Sequence, residues 1–442
     1  MKPRREKHHR AADQVDWPGL LRSGVLAGAV ALVVVATLIP SEGSVATGSY
    51  AILAAGWCVL AIVWCLSLLV DKQPGLELGW TELAAAALIA WHTLAGMVVL
   101  GSGNGRYALN SVWLYIGYGL TAWILRQTLR TAAQVRALVA AGLWLALLLA
   151  SLGFYQYFYA FPQQRRQYEA NRERILAEND IPLDQPSQVA QFENRLRSVE
   201  PLGTFALTNS LAGLLAPWLC AALAVALAVR AVPQQRRTLL AALAFAVVLA
   251  ACLVLTKSRT AYLATAAGVV LVGLYCRPSG WRLDWRIPAA AGGMLVVLGL
   301  VAVYLGGLDA QVLSEAPKSV LYRLEYWRAT AALIADHPLF GCGPGNFKSV
   351  YAEYKLPQAS ETISEPHNFL LEVWATSGTP GVVLLLLMVV AFAVDLSRGL
   401  RQAPSASTDS GDEAKTARRT IFGGALAGLL LAMPLALADD SP

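Results

Sequence analysis

Residues 238–276 read TLLAALAFAVVLAACLVL–TKSRT–AYLATAAGVVLVGLYC. Each apolar run is close to the length a helix needs to cross a bilayer, whose hydrocarbon core is about 30 Å thick. They are joined by five polar residues, Thr256 to Thr260, which hold the only charges in the stretch, Lys257 and Arg259. A connection that short makes the two runs an antiparallel pair of spans. Runs of the same kind recur on either side, at 20–40, 50–70, 80–100, 108–125, 137–160 and 204–229 before it, and at 287–307, 380–397 and 420–438 after it. The pair itself covers 238–256 and 260–276. The whole chain of 442 residues is 56% hydrophobic and 14% charged, against about 25% charged in an average soluble domain. That excludes a soluble enzyme, a disordered chain and a disulfide-stapled secreted domain. The expected fold is an all-α polytopic membrane protein of about eleven or twelve transmembrane helices.

Charge sets the orientation. The basic tail 1–19 holds Lys2, Arg4, Arg5, Lys7 and Arg10, and a long apolar run after it reads as an uncleaved anchor with a cytoplasmic N-terminus. Alternation then assigns the inner loops, and these carry Arg126, Arg130 and Arg136, then Arg230, Arg236 and Arg237, then Arg277, Arg282 and Arg286, then Arg398, Arg401, Lys415, Arg418 and Arg419. The short outer loops 41–49 and 101–107 hold one basic residue, Arg106. The expected organisation is a cytoplasmic tail 1–19, helices over 20–160, an outer loop 161–203, helices over 204–307, a large outer loop 308–379 and C-terminal helices over 380–442. The net charge of +6 thus follows the positive-inside rule, and no nucleic-acid partner is implied. Residues 165–178 read as an amphipathic helix lying over the membrane, or as a merely solvated one. Six cysteines, mostly inside apolar runs, read as free thiols.

The candidate chemistry gathers on the outer side. Short outer loops avoid Lys and Arg, so Lys257 and Arg259 call for a specific anionic partner, with snorkelling to lipid headgroups as the alternative. Ser258 or Thr260 can cap the following helix, and Arg259 offers a planar donor fork suited to phosphate. In the second outer loop, Tyr322-Arg323-Leu324-Glu325-Tyr326-Trp327-Arg328 has its rings at helical spacing. This gives a cation beside a sugar-stacking surface, or an interfacial anchor. His337 reads as a helix end and Gly341–Gly345 as a tight turn. Pro366 suits a helix's first turn and places His367 near free N–H groups that favour the neutral imidazole, or His367 is a structural interface residue. Gly378-Thr379-Pro380-Gly381 should break that helix, letting 367–377 dip into the membrane. Asp-x-Asp, His-Glu-x-x-His and Gly-x-x-x-x-Gly-Lys patterns are absent from the sequence, so no metal or other cofactor is expected. A transporter would need charged or broken-helix residues near the midplane, where the spans offer only His92 and scattered Ser and Thr.

Four stretches in order carry a resemblance: Gly203-Thr204-Phe205-Ala206-Leu207-Thr208-Asn209, Lys257-Ser258-Arg259-Thr260-Ala261, Arg323-x-x-x-Trp327 with His337 to Phe347, and His367-Asn368-Phe369-Leu370-Leu371-Glu372. Across residues 203–381 the chain resembles the O-antigen ligase and polymerase superfamily of bacterial inner-membrane glycosyltransferases. The resemblance implies a GT-C-like fold with an active site at the periplasmic face. It also implies metal-free transfer of a glycan from undecaprenyl pyrophosphate to an acceptor hydroxyl, of lipid A–core for a ligase or of another lipid-linked glycan for a polymerase. Arg259 and Arg323 are then expected to bind pyrophosphate and His367 to be catalytic. Lys257, Ser258, Thr204, Asn209, Tyr326, Trp327, Asn368 and Glu372 are the expected substrate-binding residues.

Overall fold

The computed structural model describes residues 17–39, 44–71, 75–129, 131–197, 199–230, 232–275, 310–357, 359 and 363–401. No strand occurs among them. The apolar runs form α1 (Trp17–Leu38), α3 (Ala51–Val70), α4 (Trp80–Val98), α5 (Gly105–Thr128), α6 (Ala132–Tyr155), α10 (Thr208–Val229), α11 (Arg236–Leu255) and α12 (Arg259–Tyr275), with a one-turn α2 (Ser44–Thr47) between the first two. Between α6 and α10 lie α7 (Phe161–Ala170), α8 (Arg172–Glu178) and α9 (Pro186–Arg197). After α12 come α13 (Ala310–Asp336), α14 (Phe347–Tyr354) and α15 (Phe369–Arg401). The expected spans 287–307 and 420–438 lie outside the described residues.

Among the described residues, α1, α3, α4, α5, α6, α10, α11 and α15 are long and apolar enough to cross a membrane, and α12 is a shorter apolar helix. Their outward faces carry residues such as Ile52 and Leu69, each 82% exposed, as a protein solvated by lipid rather than water requires. Inward faces are rich in small residues, for example Ala212, Ala216, Ala221, Ala222 and Ala224 on α10, which let helices approach closely where no hydrophobic force drives them together. Helices α6, α10, α11 and α12 share one core around Leu149, Leu215, Leu249 and Tyr262. Helices α1, α3 and α5 share another around Val25, Trp57 and Ile124. Helix α15 runs along α4, joined through Leu88, Val373 and Leu385.

Hydrogen bonds define the two ends of this bundle. At one end Arg22 pairs with Asp71 at 2.7 Å, and Arg126 reaches Glu77 and Glu82 at 3.3 Å each. There too Asp395 of α15 accepts bonds from the backbone N–H and hydroxyl of Thr81, in the first turn of α4. At the opposite end, the loop face, Arg106 donates to the Thr47 carbonyl. Asn110 donates to Val45, and the Asn104 N–H to Asn346 Oδ1.

The single helix expected over 165–178 is two, broken at Asn171 (φ −137°, ψ 40°). Tyr168 and Leu176 close with Val189 of α9 on a small core of their own, sealed by Tyr168 Oη and Arg172 Nε donating to Glu193 Oε1 at 2.8 and 2.9 Å.

Candidate functional site

The site residues are set by three backbone departures from helix on the loop face. The first is the α11–α12 hairpin. Helix α11 ends as Lys257 enters the left-handed region (φ 54°), a place where glycine is the default. Ser258 then caps α12: its Oγ accepts from the Ala261 N–H at 3.4 Å and its carbonyl from Tyr262 N–H at 3.1 Å. Tyr262 in turn donates its hydroxyl to the Val254 carbonyl at 2.7 Å, tying the two helices together. The two hairpin cations are not equivalent. Lys257 Nζ is 3.1 Å from Glu200 Oε1, so part of the charge anomaly is answered from within the chain. Arg259 is exposed and its side chain, among the described residues, makes no hydrogen bond or ion pair.

The second departure is the segment before α10. The span read from residue 204 starts instead at Thr208, because 201–207 is irregular and held by Gln156. That side chain sits in a π-helical turn, Gln156–Ala160, at the end of α6. Its Oε1 accepts from the Leu202 and Gly203 N–H groups, and its Nε2 donates to the Gly203 carbonyl, all at 2.7–3.0 Å. Thr204 spends its hydroxyl on the carbonyl of Thr37 at the end of α1, 2.7 Å away. Glu200 and Gln156 were not legible as site residues. Single-turn π-bulges do recur at functional sites, but no residue pattern in 156–160 announces one.

The third departure precedes α15. Asn368 is its cap, with Oδ1 accepting from Leu370 N–H at 3.1 Å and Leu371 N–H at 3.3 Å. His367 therefore stands outside the helix, not in its first turn as Pro366 suggested, and its φ of 50° is incompatible with helix. It is 7% exposed. Helix α13 grips this loop. Trp327 Nε1 donates to the Pro366 carbonyl at 3.1 Å, and the Tyr326 ring lies 6.1 Å from that of His367. Arg323 is one turn back on the same face. Tyr326 is buried and Trp327 half-buried, so both rings support the His367 loop and present little stacking surface to solvent.

Helix α15 then breaks at Gly378 (φ 70°, ψ −176°). The break is set inside the bundle. Ser377 Oγ is 2.6 Å from His92 Nδ1 and its carbonyl 2.8 Å from Trp91 Nε1. His92 is six residues from the loop end of α4, about 9 Å at 1.5 Å per residue. The expected tight turn at Gly341–Gly345 is a longer loop that enters beside the break. Thr379 N–H donates to the Pro338 carbonyl and Cys342 N–H to Ala375, at 2.8 and 2.7 Å, while Phe340 stacks on Trp91 at 5.2 Å. Irregular backbone at this depth is tolerable only where protein encloses it, and here it does. Where the loop emerges, His337 ends α13 as its N–H donates to the Leu333 carbonyl. Close by, burial and then Glu325 raise the Tyr351 hydroxyl.

These contacts gather the expected residues into two groups on one face: Lys257, Ser258, Arg259 and Thr204 around the hairpin, and Arg323, Tyr326, Trp327, His367, Asn368 and Glu372 around the head of α15. Asn209 lies in the first turn of α10, beside the Thr204 segment. Together they offer cations for an anionic group and an imidazole for proton transfer. Among the described residues no three His, Cys, Asp or Glu side chains are grouped to hold a metal ion.

Comparison with curated proteins gives no match. The family model described as O-antigen ligase matches residues 244–386. That segment takes in the hairpin cations, the α13 face, the His367 loop and the break in α15. The match supports a relationship of this segment to the O-antigen ligase superfamily.

Proposed function

We propose that the protein is a lipid-linked oligosaccharide glycosyltransferase of the ligase type. It moves a glycan from undecaprenyl pyrophosphate to a hydroxyl of lipid A–core, on the periplasmic side of a bacterial inner membrane. The observation that carries this reading is His367, held left-handed by Trp327 and Tyr326 within the segment matched to the O-antigen ligase family. Residues held in sparsely populated backbone conformations cluster at working sites, where the surrounding structure over-determines them. The orientation is supported by the basic residues Arg22, Arg126 and Arg398 at the end of the bundle away from the loop face.

In this mechanism neutral His367 takes the proton from the acceptor hydroxyl. The freed oxygen attacks the anomeric carbon, and the bond from that carbon to the phosphate oxygen breaks on the opposite face. The departing pyrophosphate keeps the electron pair, and Arg259 and Arg323 neutralise it, the role that a metal ion fills in many glycosyl transfers. General-base help is worth roughly 10²–10⁴-fold. The test is transfer by purified protein in nanodiscs, offered lipid A–core or a second lipid-linked glycan as acceptor. His367→Ala is expected to abolish transfer while leaving donor binding largely intact, since the arginines remain. Normal turnover by that variant at saturating donor overturns the assignment, and transfer only to the lipid-linked glycan makes the enzyme a polymerase.

A further inference from the structure

We infer that Glu200 is a resident counter-anion of the donor site, occupying Lys257 when the site is empty and giving it up to pyrophosphate. The inference rests on the donor reading above. Lys257 and Glu200 are 3.1 Å apart with side chains 25% and 23% exposed. The pair is therefore neither sealed in a core nor fully in solvent, and an incoming anion can reach it. Both backbones are held in place independently of the pair. Lys257 sits in its left-handed turn between Thr256 and the Ser258 cap. Glu200 directly precedes the segment that Gln156 pins at Leu202 and Gly203. Displacing the carboxylate thus breaks its pair with Lys257 and leaves the backbone scaffold standing.

This arrangement discriminates by charge. A single carboxylate against a lysine in part-exposed surroundings is a weak pair. A pyrophosphate brings more charge and more acceptor oxygens, and can engage the neighbouring Arg259 at the same time. A phospholipid phosphodiester brings one charge, the same as Glu200 itself, and gains little by the exchange. Glu200 thereby keeps the hairpin from being occupied by the anionic lipids that surround it, and reserves it for the more highly charged diphosphate of the donor.

The test uses the full chain in nanodiscs with inorganic pyrophosphate as probe, read by binding and by thermal protection. In phosphatidylcholine discs Glu200→Gln should tighten pyrophosphate about two- to five-fold, the span of an exposed ion pair. Adding phosphatidylglycerol should erase that gain, because headgroups now compete, while wild type barely responds. In a Lys257→Met background Glu200→Gln should change nothing. Should Glu200→Gln not fold, Glu200→Asp shortens the arm and gives the same tightening at reduced size. Unchanged or weaker pyrophosphate binding in these variants, or an equal effect without Lys257, overturns the role of Glu200 while the donor reading stands. If wild type binds no pyrophosphate in either lipid, the donor reading fails and this inference falls with it.

Discussion

Gly378→Ala puts the geometry of the site to a direct test. At φ 70° and ψ −176° the residue occupies a region that is essentially glycine's alone, and a side chain there costs about 1–3 kcal/mol. Space compounds the strain. A Cβ on Gly378 meets the Leu339 carbonyl oxygen at 1.9 Å and its carbon at 2.2 Å. Opening the first gap even to 3.0 Å separates the two backbones by about 1.1 Å. Neither side yields easily, because Phe340 is stacked on Trp91 and Ser377 is bonded to His92. Gly341, packed against the Ala375 carbonyl, has no slack either. The displacement passes along the nine residues of α15 that lead to His367. A misplacement of about 1 Å costs on the order of 10²-fold in rate. Glycan transfer by purified Gly378→Ala in nanodiscs should fall by about that factor, with a lowered thermal midpoint. Gly24→Ala, where a Cβ meets nothing within 4 Å, is the matched control. Transfer at the wild-type rate by Gly378→Ala refutes the idea that this break positions the site.

Arg259→Lys keeps the charge and loses the fork, so transfer should drop by about 1.5–3 kcal/mol in transition-state terms, and near wild-type rates in a purified assay count against a bidentate phosphate contact. Gln156→Ala removes three backbone bonds at Leu202 and Gly203, which at about 0.5–1.5 kcal/mol each should loosen 199–207; hydrogen exchange there should rise, and unchanged protection contradicts the pinning. The α7–α9 cap should hold only between two pH limits. The Tyr168 hydrogen bond, then Arg172, lowers the Glu193 pKa, so its contribution is present above the ordinary carboxylate pKa near 4.3 and lost as pH falls through the lowered value. Burial, then the Glu193 bond, raises Tyr168, so that contribution is present below about pH 10 and lost as pH rises through the raised value. Protection factors over 161–197, corrected for the intrinsic exchange rate at each pH, that are no lower at pH 3 than at pH 7 count against the Glu193 link.

Hydropathy located the described spans well because a bilayer imposes length and apolarity directly. The run read at 238–256 is α11, Arg236–Leu255, and that at 50–70 is α3, Ala51–Val70. The ends were harder. Helix α10 starts four residues late because Gln156, far back in the chain, had already claimed the backbone of Leu202 and Gly203. Helix α15 starts well before the run at 380, because its first segment is only partly apolar. Ser258 and Thr260 were equally good caps on paper, and the left-handed turn at Lys257 decides for Ser258. Among site residues, Arg259 and His367 stood out by type and place. Glu200, Gln156 and the His92–Ser377 contact did not, since each is defined by a partner 46 to 285 residues away or, for Glu200, by a loop whose path no periodicity reveals.

The bond between Thr81 and Asp395 joins positions 314 residues apart. At a synthesis rate of about 5–20 residues per second, the ribosome reaches Asp395 roughly 15–60 s after it passes Thr81. Over most of that interval α4 is already in the membrane with its buried histidine still lacking Ser377, 285 residues downstream. Glu82, which accepts the Gly79 N–H at 2.8 Å, covers one end of the helix in the meantime. Helix α4 thus enters the membrane before the partners of both its ends have been made, and a chain stopped before α15 leaves Thr81 and His92 without those contacts.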